Sequence, residues 1–143
     1  MELRIPTPER LREVFQRDLL NASPRAGLKP LASMERMWAE GWYKPYCLFD
    51  GDEIVGEAFL WLGHPGWSIL DYLCISEHRR NDGLGAEIIR MLQELEPETV
   101  FFGEVEAPEH APDPEMAERR LGFYVGADQS GLSWQGLPFG ILV

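Results

Sequence analysis

The sequence predicts an α+β domain of three layers, a mixed, mostly antiparallel central sheet of six or seven strands with helices on both faces. Three observations predict it. Seven short apolar segments are bounded by Gly, Pro, Asn and Asp, as strands are. Amphipathic helical stretches precede, interrupt and follow them. Hairpin signals at both ends flank one strand–helix–strand unit in the middle, which places a parallel pair inside an otherwise antiparallel sheet. The 143 residues fit a single domain over 1–143, large enough to bury a core without disulfides or structural metal.

Taken in order, residues 3–5 read as a short edge strand. Thr7, Pro8 and Glu9 start a helix, with Thr as N-cap, Pro in the first turn and an acid facing the dipole. Leu11, Val14, Phe15 and Leu19 follow at helical spacing until residues 21–27 break the pattern. A second helix is expected over 29–42, with Leu31, Met34, Trp38 and Trp42 on its packed face. Strands are expected over 46–49 and 54–62, joined by the turn Asp50-Gly51-Asp52. The run 58–62 is apolar at every position, so its strand should be covered on both sides. His64-Pro65-Gly66 turns the chain into a strand over 68–75. Leu84, Ile88, Leu92 and Leu95 align on a helix that Glu96-Pro97 ends. A strand over 100–106 and a Pro-rich loop over 107–112 precede a helix opened by Asp113-Pro114-Glu115 and ending near Gly122. Residues 132–135 and 139–143 read as a closing hairpin.

The charge balance narrows function. Thirteen basic against 24 acidic residues give a formal charge of −11, a field that repels nucleic-acid backbones and anionic membranes and attracts cationic substrates. An anionic ligand must therefore be held locally, by oriented backbone amides and a few arginines. Cys47 and Cys74 lie inside apolar runs without CxxC spacing; they read as buried thiols of a reducing compartment, with a disulfide or a nucleophile as the alternatives. His64, His78 and His110 lack ligand-spaced partners, so no metal site is expected. Neither an apolar signal stretch at the first residues nor an apolar run of membrane-spanning length is present, which points to a cytoplasmic protein.

One stretch carries chemistry. After the apolar strand residues Leu73, Cys74 and Ile75 comes a loop with Arg79, Arg80, Asn81, Asp82 and Gly83, and it runs straight into Leu84, Gly85 and Ala86 of the helix. The first N–H groups of a helix have no intrahelical partner and point outward. Glycines let an anion approach that backbone, and the helix dipole adds positive charge there. The pattern is a diphosphate cradle. A Walker A loop needs Gly-Lys-Ser/Thr, whereas Ala86 and Glu87 follow Gly85; a dinucleotide fingerprint needs a third glycine where Ile88 stands.

The spacing Arg80-Asn81-Asp82-Gly83-Leu84-Gly85 instead resembles Arg/Gln-x-x-Gly-x-Gly/Ala, the acyl-CoA loop of the GNAT (GCN5-related) N-acetyltransferase superfamily. The resemblance covers most of the chain: two N-terminal helices, the hairpin turn Asp50-Gly51-Asp52, the strand ending in Leu73-Cys74-Ile75, Gly103-Glu104-Val105-Glu106, and Arg119-Arg120-Leu121-Gly122-Phe123-Tyr124 follow in family order. It implies the GNAT fold, acetyl-CoA as acyl donor and an amine acceptor. It further implies that Cys74 and Ile75 offer backbone groups to the pantetheine arm, and that Arg80, Asn81, Asp82, Gly83, Leu84, Gly85 and Ala86 hold the pyrophosphate. In this family the pantetheine arm lies as a false strand where the fourth strand splays from the fifth.

Direct transfer needs a base to take a proton from an ammonium whose ordinary pKa is about 10.4. Glu104 is the expected base. It shares a strand face with Phe102 and Glu106, and Gly103-Glu104-Val105 is similar to the Leu-Glu-Val of family members that act on protein N-termini. A solvated acidic face is the alternative, with Glu106 and Asp71 as further candidates. Tyr124 is the expected acid, by resemblance to a tyrosine after the last helix, although its distance to the following glycine is two residues short; a structural tyrosine is the alternative. The asparagine that many members carry after the fifth strand has no counterpart in residues 107–112. Arg79, Arg119 and Arg120 are candidates for further phosphate contacts. The resulting expectation is an N-acetyltransferase for a primary amine, small or on a peptide, with a noncatalytic acyl-CoA-binding module as its rival. The C-terminal strands often shape the acceptor side or a homodimer contact in this family.

Overall fold

The computed structural model describes residues 1–22, 28–104, 109, 113–127 and 139–142. Six strands form one sheet in the order β1 (Glu2–Arg4), β2 (Tyr43–Asp50), β3 (Glu53–His64), β4 (Trp67–Ile75), β5 (Val100–Glu104) and β6 (Phe139–Leu142). The first four are antiparallel neighbours; β4–β5 and β5–β6 are parallel. The sheet is mixed, as expected.

The N-terminal layer begins with α1 (Pro8–Val14), capped by Thr7, whose Oγ1 accepts the Arg10 N–H at 3.3 Å. The helix widens into a π turn over Phe15–Leu19 before α2 (Leu20–Ala22). With α3 (Leu31–Ala39) it covers one face of the sheet. Leu11, Val14, Phe15, Leu19 and Met34 pack there on Tyr43, Cys47, Phe49, Ile54 and Phe59. On the other face α4 (Leu84–Leu95) lays Leu84, Ile88, Ile89 and Leu92 over Leu48, Val55, Ala58, Leu60, Leu70 and Phe101. Ala58, Phe59 and Leu60 are each fully buried, as a strand with a helical layer on both sides requires. The sheet meets α4 closely at Gly56. A Cβ there would lie 3.0 Å from the Cδ1 atoms of both Ile75 and Ile88, and 3.1 Å from the Cys74 carbonyl oxygen.

Three expectations are corrected. The second helix stops at Ala39, where the Glu40 and Gly41 N–H groups turn back to the Arg36 and Trp38 carbonyls, so Trp42 is half exposed instead of packed. Strand β2 begins at Tyr43, before Pro45; its edge partner β1 spans only Cys47–Phe49, so no ladder bond is lost at the proline. The last helix, α5 (Pro114–Ala127), passes through Gly122 instead of ending there. Glycine ends a helix by adopting the left-handed conformation, which Gly122 does not; inside a helix it costs only about 1 kcal/mol. Strand β6 runs parallel to β5; the hairpin expected between 132–135 and 139–143 has its first strand outside the described residues. Asp113 caps α5 as expected, its Oδ1 accepting the Met116 N–H at 3.2 Å. No described helix is long and apolar enough to cross a membrane.

Gly56→Val should lower stability by about 1–3 kcal/mol, because both Ile75 and Ile88 must move. Urea midpoints of the two proteins measure it, and an unchanged midpoint would mean that α4 does not approach β3 this closely.

Candidate functional site

Among the described residues, strands β4 and β5 pair from Trp67/Val100 to Leu70/Gly103. Beyond that point β4 runs on to Ile75 with β3 on one side and, among the described residues, no strand partner on the other. Cys74 and Ile75 end this stretch. An extended backbone edge of this kind can hydrogen-bond a ligand arm as it would a strand.

The edge leads into a 3₁₀ turn over Glu77–Arg79 and then the loop of residues 80–83. Arg80 is extended, with φ −68° and ψ 154°. Asn81 (φ 71°) and Gly83 (φ 73°) are both left-handed. Left-handed residues within such a turn orient successive N–H groups toward one concavity, an anion nest. Gly83 is also the N-cap of α4, and no side chain caps the helix. The N–H groups of Leu84, Gly85 and Ala86 thus open the helix without the usual Ser, Thr, Asp or Asn oxygen. A Cβ on Gly83 would meet nothing within 4 Å, so the space before the helix is open. Leu84, packed in the core, anchors the loop from behind. The arginines are partly committed: Arg79 Nη1 donates to Asp50 at 3.0 Å and its Nε lies 3.8 Å from Asp82, while Arg80 Nε donates to the Ile75 carbonyl at 3.2 Å with its side chain at the surface. The expected residues Cys74, Ile75, Arg80, Asn81, Asp82, Gly83, Leu84, Gly85 and Ala86 lie on the strand end, the loop with its two left-handed residues and the helix start that follow one another here.

A buried polar cluster that the sequence did not reveal fixes the far end of β4. From the π turn, Arg17 donates to Asp18 (2.9 and 2.8 Å), to the Ile54 carbonyl (2.6 Å) and to Ser76 Oγ (2.9 Å). Ser76 Oγ in turn donates to Asp18 Oδ2 at 2.8 Å. Beside them Glu57, opposite Cys74 across β3–β4, is fully buried, with Arg17 Nη2 at 3.9 Å and no hydrogen-bond partner for either carboxyl oxygen. Its pKa is driven well above the usual carboxylate range by burial first and the Asp18 carboxyl second. Against desolvation, which raises it, the hydrogen bonds from Arg17 and Ser76 and the charge of Arg17 hold Asp18 down to about 2. Burial first, then Glu57, pushes the Cys74 thiol up to about 12. Cys47 is raised likewise by burial, and both cysteines are free. They are buried thiols, and a protonated thiol is a poor nucleophile.

Asp71 stands at the split itself, one residue past the last β4–β5 pair. Its carboxylate accepts the Lys29 ammonium (2.8 and 2.9 Å) and the Tyr43 hydroxyl (2.7 Å). Earlier along the same two strands an open cavity of about 570 Å³ is lined by Pro65, Gly66, Trp67, Ile69, Val100 and Phe102. Glu104 ends β5, opposite Leu142 of β6. Tyr124 lies within α5, instead of after the last helix as expected. Glu106 and His110 lie outside the described residues.

Comparison with known proteins identifies this architecture. No family model matches the sequence, and no curated protein matches it. Solved structures do. A protein from Bacteroides thetaiotaomicron assigned to the GNAT acetyltransferases superposes with a TM-score of 0.69 at 22% identity, over 88% of this chain and 70% of that one. The chain has the GNAT fold. An acetyltransferase from Thermus thermophilus (TM-score 0.59, 19% identity, 85% of this chain and 84% of that one) shares it. So does an aminoglycoside 6′-N-acetyltransferase from Acinetobacter haemolyticus (0.57, 15%, 86% and 90%). At these identities the likeness concerns the GNAT fold, and function rests on the site.

The cluster sets a pH dependence. Asp18, lowered when folded, stabilises the protein above the ordinary carboxylate range and loses that contribution as pH falls toward about 2. Glu57, raised when folded, acts in the opposite sense: its cost to folding grows as pH rises above its unfolded value. Glu57→Gln should therefore be more stable than the parent at about pH 8, with the gap narrowing toward about pH 4. Urea unfolding at the two pH values decides; a gap independent of pH would mean that Glu57 is not buried in its protonated form.

Proposed function

We propose that the chain is an acetyl-CoA-dependent N-acetyltransferase that passes an acetyl group directly to a primary amine. One observation carries the proposal: the end of β4 at Cys74 and Ile75 leads into a left-handed loop and a helix start that no side chain caps. Extended edge and anion nest lie in the order in which a pantetheine arm and its pyrophosphate would need them. Acetyltransferase neighbours with the same fold support the reading.

In this reading Arg80, Asn81, Asp82, Gly83, Leu84, Gly85 and Ala86 hold the pyrophosphate through backbone N–H groups, and the edge at Cys74 and Ile75 pairs with the pantetheine amides. Acetyl-CoA supplies the thioester. Glu104 removes a proton from the acceptor and Tyr124 protonates the departing thiolate. With the Cys74 thiol protonated, direct attack by the amine is favoured over an acyl-cysteine intermediate. The acidic surface favours cationic acceptors, small amines or peptide amino groups. A noncatalytic acyl-CoA-binding module is the second reading, favoured by the placement of Tyr124 within α5.

Acetyl-CoA should raise the melting temperature while ATP and NAD do not, and Gly83→Glu should abolish the shift by placing a carboxylate in the nest; equal shifts from all three ligands would remove the assignment. Across an amine panel read by free-thiol release, Glu104→Gln and Tyr124→Phe should each lower kcat by about 10²–10⁴. Ligand-induced stabilisation without thiol release from any amine would favour the binding module.

A further inference from the structure

The chain has two lysines, Lys29 and Lys44, and they lie on opposite faces of the sheet. Lys44 pairs with Glu96 at the end of α4. Lys29 is held against β4 at the split. Its backbone N–H donates to the Tyr72 hydroxyl at 2.8 Å, and its Nζ donates to both oxygens of Asp71 and sits 5.7 Å from the centroid of the Tyr72 ring. The Tyr43 hydroxyl bonds the same carboxylate. The Lys29 side chain is 39% exposed and that of Asp71 15%, so the ammonium is fixed by a largely buried carboxylate and still meets solvent.

The backbone points the same way. Phe59 opposes Tyr72 and Leu60 opposes Leu70, so Asp71 is the extra residue of a β-bulge. Bulges re-aim side chains and gather beside reacting sites. From Ile75 back to Asp71 is four residues along β4, roughly 13 Å at about 3.3 Å each. An arm anchored at the loop and laid along that stretch brings its thioester to Asp71, where the Lys29 nitrogen already sits.

We propose that Lys29 is an internal acetyl acceptor, modified by the protein's own acetyl-CoA site. The inference rests on the assignment of the loop and β4 edge to acetyl-CoA. The Lys29 ammonium gives one proton to the Asp71 carboxylate, which passes it to water. The neutral Nζ attacks the thioester carbonyl carbon and forms the C–N bond. Collapse of the tetrahedral intermediate breaks the C–S bond, and the second Nζ proton goes to the departing thiolate. The products are acetyl-lysine, the free thiol of coenzyme A and one proton. The neutral amide releases the Asp71 carboxylate from its cation.

The test is incubation of the whole protein with acetyl-CoA carrying a ¹³C-labelled acetyl group, followed by mass spectrometry of the Lys29 and Lys44 peptides, with the acetyl-CoA melting shift measured in parallel. Label should enter Lys29 ~10²-fold faster than Lys44, at a rate independent of protein concentration, and Lys29→Arg should take none at that position. Asp71→Asn should keep the melting shift and lose the labelling. Equal labelling of both lysines, undiminished labelling in a folded Asp71→Asn, or no labelling in a protein that acetyl-CoA still stabilises would each overturn the inference alone. Absence of any melting shift would overturn the acetyl-CoA assignment, and the inference with it.

Discussion

Among the described residues, β4 and β5 pair no further than Leu70 and Gly103, and β4 continues for five more residues. Backbone N–H and C=O groups need partners, so the course of β4 beyond Leu70 depends on what holds the strand there. Strand β3 supplies the first hold, through register that extends to Gly56 opposite Ile75. The Arg17–Asp18–Ser76 cluster supplies the second. It joins the π turn of the N-terminal helix to β3 and to the residue that follows β4, fixing the strand end from which the loop departs. Leu84 and the close contact of α4 at Gly56 fix the loop from the opposite face. Edge, nest and helix start are thus rigid parts of one unit.

This arrangement also resolves an electrostatic conflict. A chain of charge −11 is a poor long-range attractor of a phosphorylated ligand, but in physiological salt charges are screened beyond about 8 Å. Local peptide dipoles then decide. In the proposed reading, Asn81 and Gly83 turn the backbone so that dipoles rather than side chains supply the positive charge, and Arg79 offsets Asp82 and Asp50 close by. The same acidic surface suits a cationic acceptor. Anion capture by the backbone and amine attraction by the side chains can coexist in one protein.

Much of this was legible in the sequence because the signals are local. Continuous apolarity over Ala58, Phe59 and Leu60 revealed a strand covered on both faces. Thr7 and Asp113 announced their helices through oxygens that cap them. The glycine spacing after Arg80 marked the loop. Features set by distant partners were not legible. Trp42 continued a helical stripe in sequence but lies beyond the turn at Glu40 and Gly41. The parallel pairing of residues 139–142 with β5 was not legible either, since a strand's sequence does not say which strands lie beside it in the sheet. Glu57 was a visible anomaly, a carboxylic acid inside an apolar strand, but its meaning depends on Arg17 and Asp18, some forty residues earlier and turned inward by a π turn that no spacing rule anticipates. The bulge that places Asp71 against Lys29 is likewise a property of strand register.

The most direct test is a map of backbone amide shifts in ¹⁵N-labelled protein titrated with coenzyme A. The account predicts the largest changes at the amides of residues 81–86 and a second group along residues 71–75, both saturating at one affinity. Changes confined to other residues, or a response of the loop without the strand edge, would contradict it.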